Sequence, residues 1–108
     1  MRKLRVALVA PSLRILGGQS VQADRLLQAW RDDALFMKQQ PGFISTQLHR
    51  PVGESPTYLN YAVWETTGDF GAAFTNPAFR AKLSVYPSSA VASPHLFQKV
   101  AVPGVCIA

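Results

Sequence analysis

The chain has 108 residues, 48% hydrophobic and 16% charged, which makes one ordinary domain with enough apolar material for a core of its own. Eleven Lys and Arg against six Asp and Glu give a net charge of +5, yet the basic residues are scattered and form no tract dense enough for nucleic acid. The lone Cys106 excludes an intrachain disulfide and a cysteine-rich metal site and suits a reducing cytoplasm, and no apolar run approaches the roughly 20 residues of a membrane span.

In chain order, Leu4 to Ala10 is short, apolar and rich in Val, which predicts a buried strand ended by Pro11. The apolar stretch from Val6 is too short for the core of a signal peptide. Residues 12–18 read as a loop in which Gly17 and Gly18 supply permissive backbone. Their spacing lacks the full dinucleotide or P-loop pattern, so loop geometry is favoured over phosphate binding. Ser20 is placed as an N-cap. Ala23, Leu26, Leu27, Trp30, Ala34 and Met37 then recur at three- and four-residue spacing, predicting a helix of about 19 residues that Pro41-Gly42 ends. "GFISTQLHR" alternates as a second strand, with Ile44, Thr46 and Leu48 opposed to Phe43, Ser45 and Gln47. Pro51 to Pro56 is its turn. "TYLNYAVWE" is a third strand of strong β-formers. "TTGDF" opens a second helical region with Phe70, Ala73 and Phe74 on one face. Asn76-Pro77 breaks it, and Phe79 and Leu83 continue a further short helix. "YPSSAVASP" reads as loop, and "HLFQKVAV" as the fourth strand before Pro103-Gly104.

Strand, helix, strand, strand, helix, strand is the ferredoxin-like split βαβ order, an α+β fold with an antiparallel sheet and helices on one face. On the third strand Tyr58, Asn60, Ala62 and Trp64 alternate with Leu59, Tyr61 and Val63, and both sides carry large apolar groups. One chain has helices for only one face. The simplest cover for the other is a second copy, giving a homodimer.

Two resemblances meet in the chain. Residues 5–32, "RVALVAPSLRILGGQSVQADRLLQAWRD", resemble the opening strand, glycine loop and helix of a GT-B glycosyltransferase. Residues from about 29 to 105, above all "AWRDDALFMKQQPGFISTQLHR", "LNYAVWETTGDF" and "NPAFRAKL", resemble the antibiotic biosynthesis monooxygenase (ABM) family. That second resemblance implies a small dimeric α+β barrel, and some members are oxygenases that use no metal or flavin. It also covers far more of the chain. A GT-B enzyme builds its site between two doubly wound domains, and nothing after the first helix here alternates as parallel βαβ units. The chain is therefore read as a single ABM-like domain over 1–108, with a hybrid front end over 1–32.

Asn60 and Trp64 lie four residues apart on one strand and point the same way. On the residues alone, a core Trp and a sheet Asn bonded to a neighbour remain open. The resemblance implies that both face a cavity between sheet and helices. There the amide of Asn60 would hydrogen-bond a phenol or ketone oxygen, and the indole of Trp64 would stack on substrate rings. Phe70, Phe74 and Phe79 would line the same cavity from the helices while packing as core. Tyr86 would reach its mouth. Some relatives carry a Tyr on this helix, whereas Phe70 has no hydroxyl. The haem-degrading branch carries an Asn on the first strand and a His on the helix after the third. Here the first strand lacks Asn and residues 68–85 contain no His. His49 and His95 are rim residues, and they make a poor metal site.

The resemblance thus implies an ABM-like monooxygenase in the cytoplasm that needs no cofactor. Its partners are a small aromatic or polyketide-type substrate, which supplies the electrons, and molecular oxygen. Neither nucleic acid nor membrane is expected. Two alternatives stay open: a non-catalytic dimeric ligand-binding barrel, and a fragment of a sugar-nucleotide glycosyltransferase.

Overall fold

The computed structural model describes residues 6–8, 12–15, 20–86 and 90–107, with side chains for 24–86, 90 and 92–107. Strands β1 (Val6–Leu8) and β2 (Ser12–Ile15) precede a long helix, α1 (Ser20–Met37). Strands β3 (Phe43–His49) and β4 (Thr57–Trp64) follow as an antiparallel pair. Two short helices, α2 (Thr67–Phe74) and α3 (Pro77–Lys82), lead through a 3-10 turn over Leu83–Val85 to β5 (Ala90–Ser93).

Rich in aromatic and β-branched residues, β4 runs through the middle of the sheet. On one side it pairs with β3; on the other it pairs in succession with β1 and β2, and β5 lies beyond β2. Every pairing is antiparallel. This is the ferredoxin-like arrangement.

The helices cover one face of the sheet. Leu26, Ala29 and Asp33 form the buried stripe of α1 at helical spacing, flanked by the half-buried Trp30 and Met37. From β4, Tyr58 packs against Leu26, while Ala62 and Trp64 pack against Ala73 of α2. Leu59, on the opposite face, is 38% exposed.

Local chemistry fixes the joints. Gly42 turns the chain from α1 into β3 with a φ of 84°, a left-handed conformation that glycine adopts without strain. Its carbonyl accepts the Glu65 N–H at 2.7 Å, which ties that turn to the end of β4. Thr66 caps α2 by accepting the Asp69 N–H, and Asn76 caps α3 by accepting the Ala78 N–H, with Pro77 in the first turn.

Several sequence expectations are corrected. The predicted loop over 12–18 contains β2, because pairing with β4 resumes after Pro11. Six steps from Val6 to Ser12 match five from Trp64 to Leu59, so the register shifts by one residue between β1 and β2. The alternation on β3 breaks at Ile44, where the register slips between Phe43 and Ser45. Phe43 therefore joins Thr46 on the helix side instead of opposing it. The fourth strand is Ala90–Ser93, not 95–102. It pairs with β2, an edge the sequence reading had not seen, whereas 94–101 find no strand partner among the described residues. Strand propensity without an edge to pair with does not make a strand. Ser20 is the first helical residue of α1, not its cap. Gly17 and Gly18 lie outside the described residues.

Candidate functional site

A cavity of about 250 Å³ lies between the helices and the sheet. The floor comes from β4, whose alternation directs Asn60, Ala62 and Trp64 to the same side. Phe43 and Thr46 of β3 extend it. The roof is Trp30, Asp33 and Met37 of α1 together with Phe70, Phe74 and Phe79 of the short helices. Tyr86, Ala90 and Ala92 close one end. Asn60, Trp64, Phe70, Phe74, Phe79 and Tyr86, all singled out from sequence, thus converge on one space. His49 and His95 are exposed and take no part in it. Among the described residues, no three His, Cys, Asp or Glu side chains form a group suited to a metal ion.

The aromatic rings of the walls are locked to one another. Trp64 is 1% exposed. Phe43 meets it edge to face at 5.3 Å and 89°, and Phe70 at 5.8 Å and 71°. Phe70, Phe74 and Phe79 continue the chain of rings at 5.3 and 5.4 Å, and Phe36 joins Phe79 at 6.2 Å. Such contacts add about 0.5–1.5 kcal/mol per pair beyond burial. The Arg80 guanidinium lies 4.8 Å from the Phe74 ring centroid, a cation–π contact.

Polar groups are few. The Thr46 hydroxyl donates to Asn60 Oδ1 at 2.7 Å. With its oxygen committed, Asn60 keeps its Nδ2 protons for a ligand acceptor. Asp33 is the second polar pole and was missed by the sequence reading. It is 7% exposed, and its Oδ1 has no hydrogen-bond partner among the described residues. The Tyr86 hydroxyl lies beside the same carboxylate. Burial lifts the Asp33 carboxyl above its ordinary value; the Tyr86 bond and Lys82 oppose this, and Asp32 adds to it. Burial, followed by the hydrogen bond to Asp33, also pushes the Tyr86 phenol up, so Tyr86 stays protonated and remains a donor. The signal for Asp33 was its place on the Leu26–Ala29–Asp33 stripe, hidden because a charged residue is usually read as a solvated face.

An antiparallel ferredoxin-like sheet closing an aromatic-walled cavity beneath its helices defines a class of small α+β domains built around a ligand chamber. A family model described as antibiotic biosynthesis monooxygenase (ABM) matches residues 18–82, and the chain belongs to that family. This makes it an ABM-like monooxygenase domain. SnoaB, a cofactor-independent oxygenase from Streptomyces nogalater, superimposes with a TM-score of 0.77 at 22% identity, over 94% of this chain and 98% of that one. A proposed monooxygenase from Shewanella loihica gives 0.74 at 25% identity, over 94% and 100%. A proposed antibiotic biosynthesis monooxygenase from Caulobacter crescentus gives 0.72 at 20%, over 93% and 92%. A comparison with curated protein sequences finds no match. Nothing supports the glycosyltransferase resemblance. Residues 18–32 fall within the ABM match, and β1 and β2 each pair antiparallel with β4 where a doubly wound domain needs parallel strands.

Proposed function

We propose that the protein is a cofactor-independent oxygenase of small aromatic, polyketide-type substrates, and that it works in the cytoplasm as a homodimer of single-domain chains spanning 1–108. The observation that carries this reading is the cavity itself: an apolar chamber rich in aromatic rings in which the Asn60 amide offers a free donor group. Its volume is slightly below the roughly 300–1,000 Å³ of typical ligand sites, which suits a compact fused-ring molecule.

In this reading a phenol or hydroquinone lies flat between the aromatic walls. Asn60 Nδ2 donates to a substrate oxygen and stabilises charge growing there as the ring becomes anionic. Trp64, edged by Phe43 and Phe70, presents its indole as a fixed wall for the delocalised ring. The deprotonated substrate reduces O₂ directly, and exclusion of water protects the intermediate. The test is oxygen uptake, followed with an electrode, on a panel of dihydroxyanthracene-type substrates. Uptake that depends on Asn60 supports the reading, and no uptake on any member refutes it.

A second reading, a ligand-binding barrel without chemistry, draws on the closure of Trp64. At 1% exposure its ring is almost wholly engaged by neighbours. Quenching of tryptophan fluorescence by the same panel without oxygen uptake favours that alternative.

A further inference from the structure

A buried carboxylate in an apolar chamber calls for a reason. Its desolvation is costly unless every oxygen is satisfied. Asp33 is buried, lines the cavity, and keeps Oδ1 without a partner among the described residues. A carboxylate that served packing alone would have both oxygens bonded. Here the Tyr86 hydroxyl lies beside the group, Oδ1 is enclosed without a partner, and the residue borders the cavity.

We infer that Asp33 accepts the phenolic proton of the aromatic substrate, and that Tyr86 is a positioning residue that orients its carboxylate. The inference rests on the aromatic-substrate reading above. In the step, the substrate O–H bond breaks and a new O–H bond forms on the Asp33 carboxylate. The electron pair stays on the substrate oxygen, so a neutral phenol and a carboxylate become a phenolate and a carboxylic acid. The phenolate is the electron-rich form that O₂ can oxidise. Burial raises the basicity of the carboxylate and narrows its gap to a phenol. The charged groups around Asp33 are Lys82 of α3, which lowers its proton affinity, and Asp32 on its own helix, which raises it. Tyr86, from the segment after the 3-10 turn, lowers it by its hydrogen bond.

The first measurement needs no turnover. 2-Hydroxyanthraquinone is already fully oxidised, and its methyl ether lacks only the acidic proton. At a pH where the free phenol is neutral, the unmodified protein should bind the hydroxyl compound about tenfold more tightly than the ether, the effect of one charge-assisted hydrogen bond. Asp33→Asn should bring the ratio to about twofold or less. The second measurement is kcat/KM against pH with a dihydroxyanthracene substrate. The unmodified enzyme should lose activity toward acid as Asp33 protonates. Asp33→Asn should lose that limb along with most of its activity, and Tyr86→Phe should move the limb to higher pH, because the missing donor no longer favours the carboxylate. Circular dichroism checks each variant. If Asp33→Asn fails to fold, Tyr86→Phe carries the test, and an unmoved limb overturns the inference. An unchanged hydroxyl preference in folded Asp33→Asn also overturns it. If the unmodified protein consumes no oxygen yet keeps the preference, the oxygenase reading falls and the role of Asp33 stands.

Discussion

Asn60 and Trp64 share a strand face but are held differently, and their variants should separate. Thr46 fixes the Asn60 amide through its oxygen, so Asn60→Ala removes a donor without opening the core. Turnover should fall about 100-fold, the order seen when a charge-stabilising donor is deleted, with ligand affinity nearly kept. Steady-state oxygen uptake and calorimetric binding on the same variant check this. Trp64 is engaged edge to face on two sides, so Trp64→Ala would cost about 3–5 kcal/mol of stability and confuse the reading. Trp64→Phe is the cleaner probe. It should stay folded by circular dichroism and weaken binding of a planar aromatic by on the order of 1 kcal/mol. Asp33 predicts an unusual pH dependence of stability. Its folded proton affinity is raised, so the native state holds more protons than the unfolded chain between about pH 4 and the lifted value. Stability therefore falls as pH rises through that window. Asp33→Asn should melt at a higher temperature than the unmodified protein at neutral pH, and the gap should close toward acid. Equal melting temperatures across the range would show that the buried charge carries no cost.

At the scale of elements, the joints explain where the sequence could be read and where it could not. The α1, β3 and β4 ranges follow from periodicity, alternation and the Pro-Gly stop, all local signals. Gly42 shows why that stop is glycine. At a φ of 84°, a Cβ there would collide with the Asp69 side chain in the first turn of α2. Gly42→Ala thus meets both backbone strain and a clash, and should destabilise the fold by about 1–3 kcal/mol in denaturant unfolding. A cost near zero would mean that the α1–β3 turn shifts freely relative to α2. The displaced fourth strand has the opposite origin. Both "AVAS" and "HLFQKVAV" carry strand formers, and the choice fell to whichever segment reached the β2 edge. No local pattern encodes that competition. The slip at Ile44 is similar: it moved Phe43 onto the cavity wall against Trp64, and only the pairing with β4 reveals it.

The molecule as a whole has one covered sheet face and one open one. Leu59 is 38% exposed, Tyr61 and Val63 are half-buried, and beyond β5 the side chains of Leu96, Phe97 and Val100 are exposed too. This much apolar surface on a small domain favours association with a second copy. Tyr61→Lys would place a charge in the proposed interface and should yield a monomer or an unfolded chain. Sedimentation of the unmodified protein as a monomer at micromolar concentration would refute the dimer.

Composition, alternation on β4 and the spacing of α1 determined, without the fold, an antiparallel α+β domain whose third strand presents Asn60 and Trp64 on one face. These are properties of short segments, set by backbone periodicity and side-chain type. The tertiary structure decided the rest: that β2 exists, that 90–93 and not 95–102 closes the sheet, and that Phe43 turns inward. It also brought Asp33 and Tyr86, distant in sequence, to one carboxylate–phenol contact inside the chamber. Edge pairing and burial depend on which surfaces meet, and a charged residue on a helix stripe reads as solvent-facing until a second layer covers it.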